Sequence, residues 1–220
     1  MSEPAPATRL WLVRHGQSTW NAAGRIQGQS CQAGSLTPTG REQAEQAAGQ
    51  LALAAPDAVV TVASDLARTA ETAAIIAGRL GLPLEFDAGL RELDLGELEG
   101  TGSATGDGPA DGPMDRPMDG TADVIDQFWE DPYRRPPGGE TVAELYWRVH
   151  GALSRLAEDR PETDLIVVTH GGPVRVATVG RLPPPGLPLP RAAVGNASIS
   201  LWPGLAGTGP VGVHTEMVAP

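Results

Sequence analysis

Three stretches of this chain are apolar without interruption and of strand length, and each ends abruptly on polar residues. They are "RLWLV" (9–13), "DAVVTVAS" (57–64) and "TDLIVVTHGG" (163–172). Continuous runs of this kind suit strands buried on both faces, as in a parallel sheet, whereas half-exposed strands alternate. Between and after them the period changes. "LTPTGREQAEQAAGQLALA" (36–54) repeats Ala44, Ala47, Ala48 and Leu51 at helical spacing and stops before Pro56. "LARTAETAAIIAGRLG" (66–81) reads as a helix capped by Ser64 or Asp65, with Gly81 just past its end. "PLEF" (83–86) suits a short strand, and "TVAELYWRVHGALSRLAED" (141–159) a long helix. "PVRVATVGRL" (173–182) continues as a helix after the third buried run. "NASISLWP" and "PVGVHTEMV" alternate across a Gly-rich turn and read as a closing antiparallel pair. The order strand, helix, strand, helix, strand predicts an α/β fold, a mostly parallel sheet with helices on both faces.

Two segments fall outside this pattern. Residues 1–8 form a tail rich in Pro and Ala. Residues 101–123 carry Asp at 107, 111, 115, 119 and 123. A spacing of four would suit one helix face, but Pro109, Pro113 and Pro117 forbid it. The segment reads as a solvated low-complexity insertion or degenerate cap. It lacks the Glu and the tight Asp-x-Asp spacing of a calcium loop. The 220 residues are enough for one domain, and we read 1–220 as such.

Composition narrows the partners. A net charge of −11 argues against nucleic acid or an anionic membrane, so an anion pocket must be locally basic against an acidic background. Cys31 is the sole cysteine, which excludes an intrachain disulfide and fits a reducing, cytoplasmic setting. "LWLV" is too short for a leader core or a membrane span. A homodimer is left open.

The candidate chemistry lies where the buried runs end. "LVRHG" and "VVTHG" both finish on His-Gly, and ligands of parallel sheets sit beyond the carboxyl ends of the strands. His15 and His170 are therefore expected in one crevice, 155 positions apart in sequence. "VVTVAS" leads into "DLARTAET", which places Arg68 in the first turn of a helix at the same end. Arg14, Arg68, two imidazoles and helix amide groups form a set of donors suited to a phosphate. Taken singly, Arg68 would be an ordinary surface arginine and His15 a satisfied strand-end histidine. "GTGPVG" (207–212) matches a dinucleotide fingerprint only formally, since no helix follows. No metal-ligand spacing occurs. His150 reads as partly buried or on the surface, and His214 as structural.

The set "LVRHGQSTWN", "SDLARTAETA", "RELDLGELEG" and "VVTHGG", in this order, resembles the histidine phosphatase superfamily, the phosphoglycerate mutase-like proteins. The resemblance implies a three-layer sandwich and a phosphohistidine on His15. It implies Arg14, Arg68 and His170 around the phosphoryl oxygens and Glu92 as the general acid. Asn21, Gln27, Gly28 and Gly171 fall where further phosphate or substrate contacts are expected. No metal and no cofactor are implied. A free ring nitrogen on His15 requires the other to be held as N–H, and Gly16 would let the chain turn to supply a carbonyl. The phosphatase branch is favoured because "HGG" (170–172) stands where mutases carry His-Gly-Asn. In addition, "LRELDLGELEG" lacks the mutase element around the acid, and "PPGGET" (136–141) is similar to phosphatase members. Leu98 stands where those members often carry Trp, and the insertion stands where they carry a helical cap. The expectation is a metal-independent phosphomonoesterase acting on a small phosphorylated metabolite. A phosphoglycerate mutase and a non-catalytic phosphate-binding protein are the alternatives. Arg134 and Arg135 are candidates for a second acidic group of the substrate, or simply solvated.

Overall fold

The computed structural model of the chain describes residues 8–102, 121–189 and 192–202. Its centre is a five-stranded sheet of order β3-β2-β4-β1-β5. The strands are β1 (Arg9–Arg14), β2 (Ala58–Ala63), β3 (Leu84–Phe86), β4 (Asp164–Thr169) and β5 (Ile199–Leu201). All pairings are parallel except β1 with β5.

Successive side chains of a strand point to opposite faces, and each face here has its own apolar core. Leu10, Leu12, Val60, Val62, Leu165 and Val167 face α5 (Val142–Asp159) and α6 (Gly171–Ala177), packing with Leu145, Val149, Leu153 and Val174. Val13, Ala63, Ile166 and Val168 face α2 (Pro38–Ala54) and α3 (Ala67–Leu80), packing with Ala47, Ala48, Leu51, Ala73 and Ile76. This is the expected three-layer α/β sandwich. A short helix α1 (Thr19–Ala22) follows β1, and α4 (Thr121–Glu130) precedes α5 and buries Phe128 and Trp129 in the first core.

Helix boundaries follow local chemistry. Thr37 caps α2 by accepting from Gly40 N, with Pro38 in the first turn. Thr141 and Glu144 form a capping box on α5, and Gly81 closes α3 at φ 69°. Three expectations are corrected. The N-cap of α3 is Leu66, without a side-chain cap, because Ser64 and Asp65 are engaged elsewhere, Asp65 in an ion pair with Arg91. The last described helix begins at Gly171, since Pro173 needs no N–H partner in a first turn. It ends at Ala177, where Thr178 Oγ1 turns back to donate to Arg175 O. Residues 121–123 belong to α4 rather than to the insertion.

β5 pairs with β1 through Trp11–Leu201, Leu12–Ser200 and Val13–Ile199. The expected partner strand at 210–218, His214, the 207–212 fingerprint, residues 1–7 and 103–120 lie outside the described residues. Thr8 is anchored by a hydrogen bond to Arg160 O. No described helix is long and apolar enough to cross a membrane.

Candidate active site

Parallel register builds the site. Arg14 pairs with Thr169 across β1 and β4, so the next residues, His15 and His170, leave the sheet side by side. His15 N donates to Thr169 O, and the two imidazole centroids are 5.2 Å apart. β2 ends alongside, with Ser64 N bonded to Val168 O. Its Ser64 Oγ lies 2.9 Å from Nε2 of His170. Ser64 is thus a member of the site that the sequence reading treated as a mere cap. The rule that joined the two histidines would have found it, because it too is the first residue beyond a buried strand.

His15 is 2 % exposed. Its Nδ1 donates to Gly16 O at 2.7 Å, which leaves the Nε2 lone pair unprotonated. Arg68 Nε donates to that Nε2 at 3.2 Å. The carbonyl is Gly16's own, but the glycine is required for a different reason than a tight turn. A Cβ on Gly16 would stand 2.2 Å from Gly40 O, and one on Gly40 would stand 2.1 Å from Gln17 O. The His15 loop and the start of α2 pack backbone against backbone.

Arg68, in the first turn of α3, is 1 % exposed. Its Nη2 donates to Gly28 O at 2.8 Å. Its Nη1, like Nδ1 of His170, is buried with no hydrogen bond among the described residues. Gly28 has φ +49°, and a Cβ there would meet Glu99 Oε1 at 1.9 Å, so glycine is needed for both backbone and space. Arg14 is buried, donates to Val194 O and lies against Gly171, whose Cβ would be 3.6 Å from Arg14 Nε.

Glu92 reaches the same place from the loop after β3. Its carboxylate accepts from Leu93 N at 2.8 Å and from Gly172 N at 3.1 Å. A Cβ on Gly172 would overlap Glu92 Oε1 at 2.1 Å, so the second glycine of "HGG" is the seat of this carboxylate. Asn21 and Gln27 lie beneath the His15 loop. Asn21 Oδ1 accepts from Ser18 N and from Asn196 Nδ2, and Asn196 Nδ2 also donates to His15 O. Gln27 Oε1 accepts from Ser18 Oγ. Asn196 was not foreseen, being a lone amide in a loop. Arg135 donates to Glu144 and Gly139 O at the surface, which is the solvated reading, and Arg134 is exposed. His150 is buried against Tyr146, deeper than its helix position suggested.

Burial, with the Arg68 and Arg14 charges added, holds His15 well below the ordinary imidazole pKa. Burial and the neighbouring Arg68, His15, Arg14 and Arg148 do the same to His170. Both rings are neutral at pH 7. Burial lowers Arg68 to about 10, so it stays cationic. His150 is also lowered by burial. The unfolded chain therefore binds protons below about pH 6.5 that the folded chain refuses, and stability falls as pH drops through that range. Urea unfolding at pH 7 and at about pH 5.5 should show the loss. The His15 and His170 ring resonances should not titrate between those two values. Ordinary titration near 6.5 with constant stability would contradict it.

Known proteins share the sequence pattern and the fold of this chain. The profile of the histidine phosphatase superfamily (branch 1) matches residues 10–204. The chain belongs to the histidine phosphatase superfamily. It is 38 % identical over 163 residues to a probable phosphoglycerate mutase, GpmB, of Salmonella paratyphi C. That match covers 74 % of this chain and 69 % of the relative. Its fold is similar to that of a mycobacterial glucosyl-3-phosphoglycerate phosphatase complexed with VO3. The TM-score is 0.68 at 30 % identity, covering 89 % of this chain and 92 % of that one. It is likewise similar to a phosphoserine phosphatase from Entamoeba histolytica complexed with 3-phosphoglyceric acid. There the TM-score is 0.69 at 25 % identity, covering 88 % and 89 % of the two chains.

Proposed function

We propose that this member of the histidine phosphatase superfamily is a phosphomonoesterase that works without a metal, hydrolysing a small phosphorylated metabolite through a phosphohistidine on His15. The observation that carries the reading is the His15 ring itself. Nδ1–H is fixed by Gly16 O, and the Nε2 lone pair is presented to a buried guanidinium. A neutral imidazole with one nitrogen held as donor and the other facing fixed positive charge is a nucleophile prepared for an anionic electrophile.

Nε2 attacks phosphorus and the ester P–O bond breaks. Glu92 donates a proton to the departing alkoxide. Water then attacks phosphorus while the Glu92 carboxylate takes its proton, the phosphorus–nitrogen bond breaks, and inorganic phosphate leaves with the Nε2 lone pair of His15 restored. Charge in the transition state spreads over three equatorial oxygens, so positioned cations supply most of the acceleration. Arg68 gives up its bond to Nε2 as the phosphorus–nitrogen bond forms, and it turns Nε and the uncommitted Nη1 to these oxygens. Arg14 and His170 flank them. One guanidinium at ~4 Å gives roughly 4 kcal/mol of raw attraction at an effective dielectric of 20.

The absence of the mutase element around Glu92 and the Gly172 seat of its carboxylate support a phosphatase. The 38 % identity to a probable phosphoglycerate mutase favours the second reading, a mutase. Two assays separate them. A phosphatase releases phosphate from p-nitrophenyl phosphate with EDTA present. A mutase converts 3- to 2-phosphoglycerate only when primed with a bisphosphate. Silence in both, with tight phosphate binding, would instead indicate a non-catalytic phosphate binder.

A further inference from the structure

The carboxylate of Glu92 belongs to a segment, 91–95, without regular structure, and a loop of that kind does not hold a side chain to the tolerance proton transfer needs. One side chain of α5 binds that segment. Arg148 Nη1 donates to Gly89 O at 3.0 Å and to Arg91 O at 2.9 Å, and its Nη2 donates to Glu92 O at 3.1 Å. The same guanidinium pairs with Glu140, through Nε at 3.2 Å and through Nη2. Glu140 in turn grips Asp94 from both sides, Asp94 N donating to its carboxylate and its own N donating to Asp94 O. Gln29 Nε2 adds a second donor to Glu92 O. Three backbone carbonyls and one carboxylate thus converge on a single planar fork of five N–H groups, a pattern that lysine, with three donors on one atom, does not reproduce.

We propose that Arg148, with Glu140, is a positioning residue for the proton-transfer step: it fixes the 89–94 backbone so that the Glu92 carboxyl stays seated on Gly172. This rests on Glu92 acting as the general acid. Arg148 does not touch the phosphoryl group. Its loss affects protonation of the leaving oxygen and spares phosphate binding.

The test is the dependence of kcat/KM on leaving-group acidity, measured with a series of aryl phosphates and one alkyl phosphate, for wild type, Glu92→Gln, Arg148→Met, Arg148→Lys and the Glu92→Gln/Arg148→Met double variant. General-acid help is worth about 10²–10⁴-fold where the leaving group needs a proton. Arg148→Met and Arg148→Lys should lose about 10²-fold on the alkyl phosphate and only a few-fold on p-nitrophenyl phosphate. Affinity for inorganic phosphate should be unchanged. Glu92→Gln should steepen the dependence in the same sense, and the double variant should steepen it no further. Equal losses across the series in both Arg148 variants, or a wild-type slope beside a steepened Glu92→Gln slope, would overturn the proposal and leave the Glu92 reading standing. An unchanged slope in Glu92→Gln would remove the Glu92 reading and this proposal together. Phosphate affinity and Tm identify a variant that has merely lost its fold, and Arg148→Lys, which keeps the charge, serves if Arg148→Met does not fold.

Discussion

His15→Asn should reduce kcat for p-nitrophenyl phosphate by on the order of 10⁴-fold or more, the scale seen when a covalent enzyme loses its nucleophile. The expectation follows from the division of labour in the ring. Asn keeps an N–H donor that can serve Gly16 O, so the loop backbone and its close packing on Gly40 are retained. Its amide lone pair is delocalised into the carbonyl and cannot form the phosphorus–nitrogen bond. Inorganic phosphate should still bind, because the guanidinium groups of Arg14 and Arg68 remain. Stopped turnover with preserved phosphate affinity and preserved Tm is the expected combination, read by steady-state kinetics, calorimetric titration and thermal unfolding. A loss of less than 10-fold would show that water is activated directly and that no covalent route is used.

Arg68→Met should cost on the order of 10²–10³-fold in kcat/KM, comparable to removing an oxyanion-hole donor. Its effect on stability should be small. Burial lowers the Arg68 pKa to about 10, so the fold holds this cation at a cost on the order of 3 kcal/mol at neutral pH. Met removes that cost and leaves Gly28 O without its donor, a penalty of about 1–3 kcal/mol. The two nearly offset, so Tm should move little while activity collapses. A large drop in Tm with modest kinetic loss would make Arg68 a structural residue. An expensive buried charge that contributes rate and not stability is the signature of a functional site.

Much of this arrangement was legible along the chain, for identifiable reasons. Leu165, Ile166, Val167 and Val168 are apolar on both faces, which only a central strand of a covered sheet requires, and β4 lies between β1 and β2 as that composition demands. Parallel pairing carried the two His-Gly ends to one crevice. Gly81 announced the end of α3 because glycine adopts φ 69° without strain. What remained hidden depends on contacts between distant segments. Ser64 looked like a helix cap, since its pairing with His170 exists only once β2 and β4 are neighbours. Gly16 looked like a turn residue, since the backbone of Gly40 arrives from another helix. Arg148 has no local mark, being one of several charged residues on α5, and its bonds reach back 56 to 59 positions. Gly172 is visible as a sequence difference from mutases, while the reason it excludes a side chain appears only with Glu92 in place.

Catalysis on this route depends on a bond between phosphorus and the imidazole of His15. Rapid-quench reaction of the wild-type enzyme with ³²P-labelled substrate, followed by peptide mapping at alkaline pH, tests it most directly. One transient, acid-labile label is expected on the peptide that contains His15, absent from His15→Asn and retained in Glu92→Gln with an activated aryl phosphate. Label on any other residue, or full turnover with no labelled enzyme at any quench time, would contradict it.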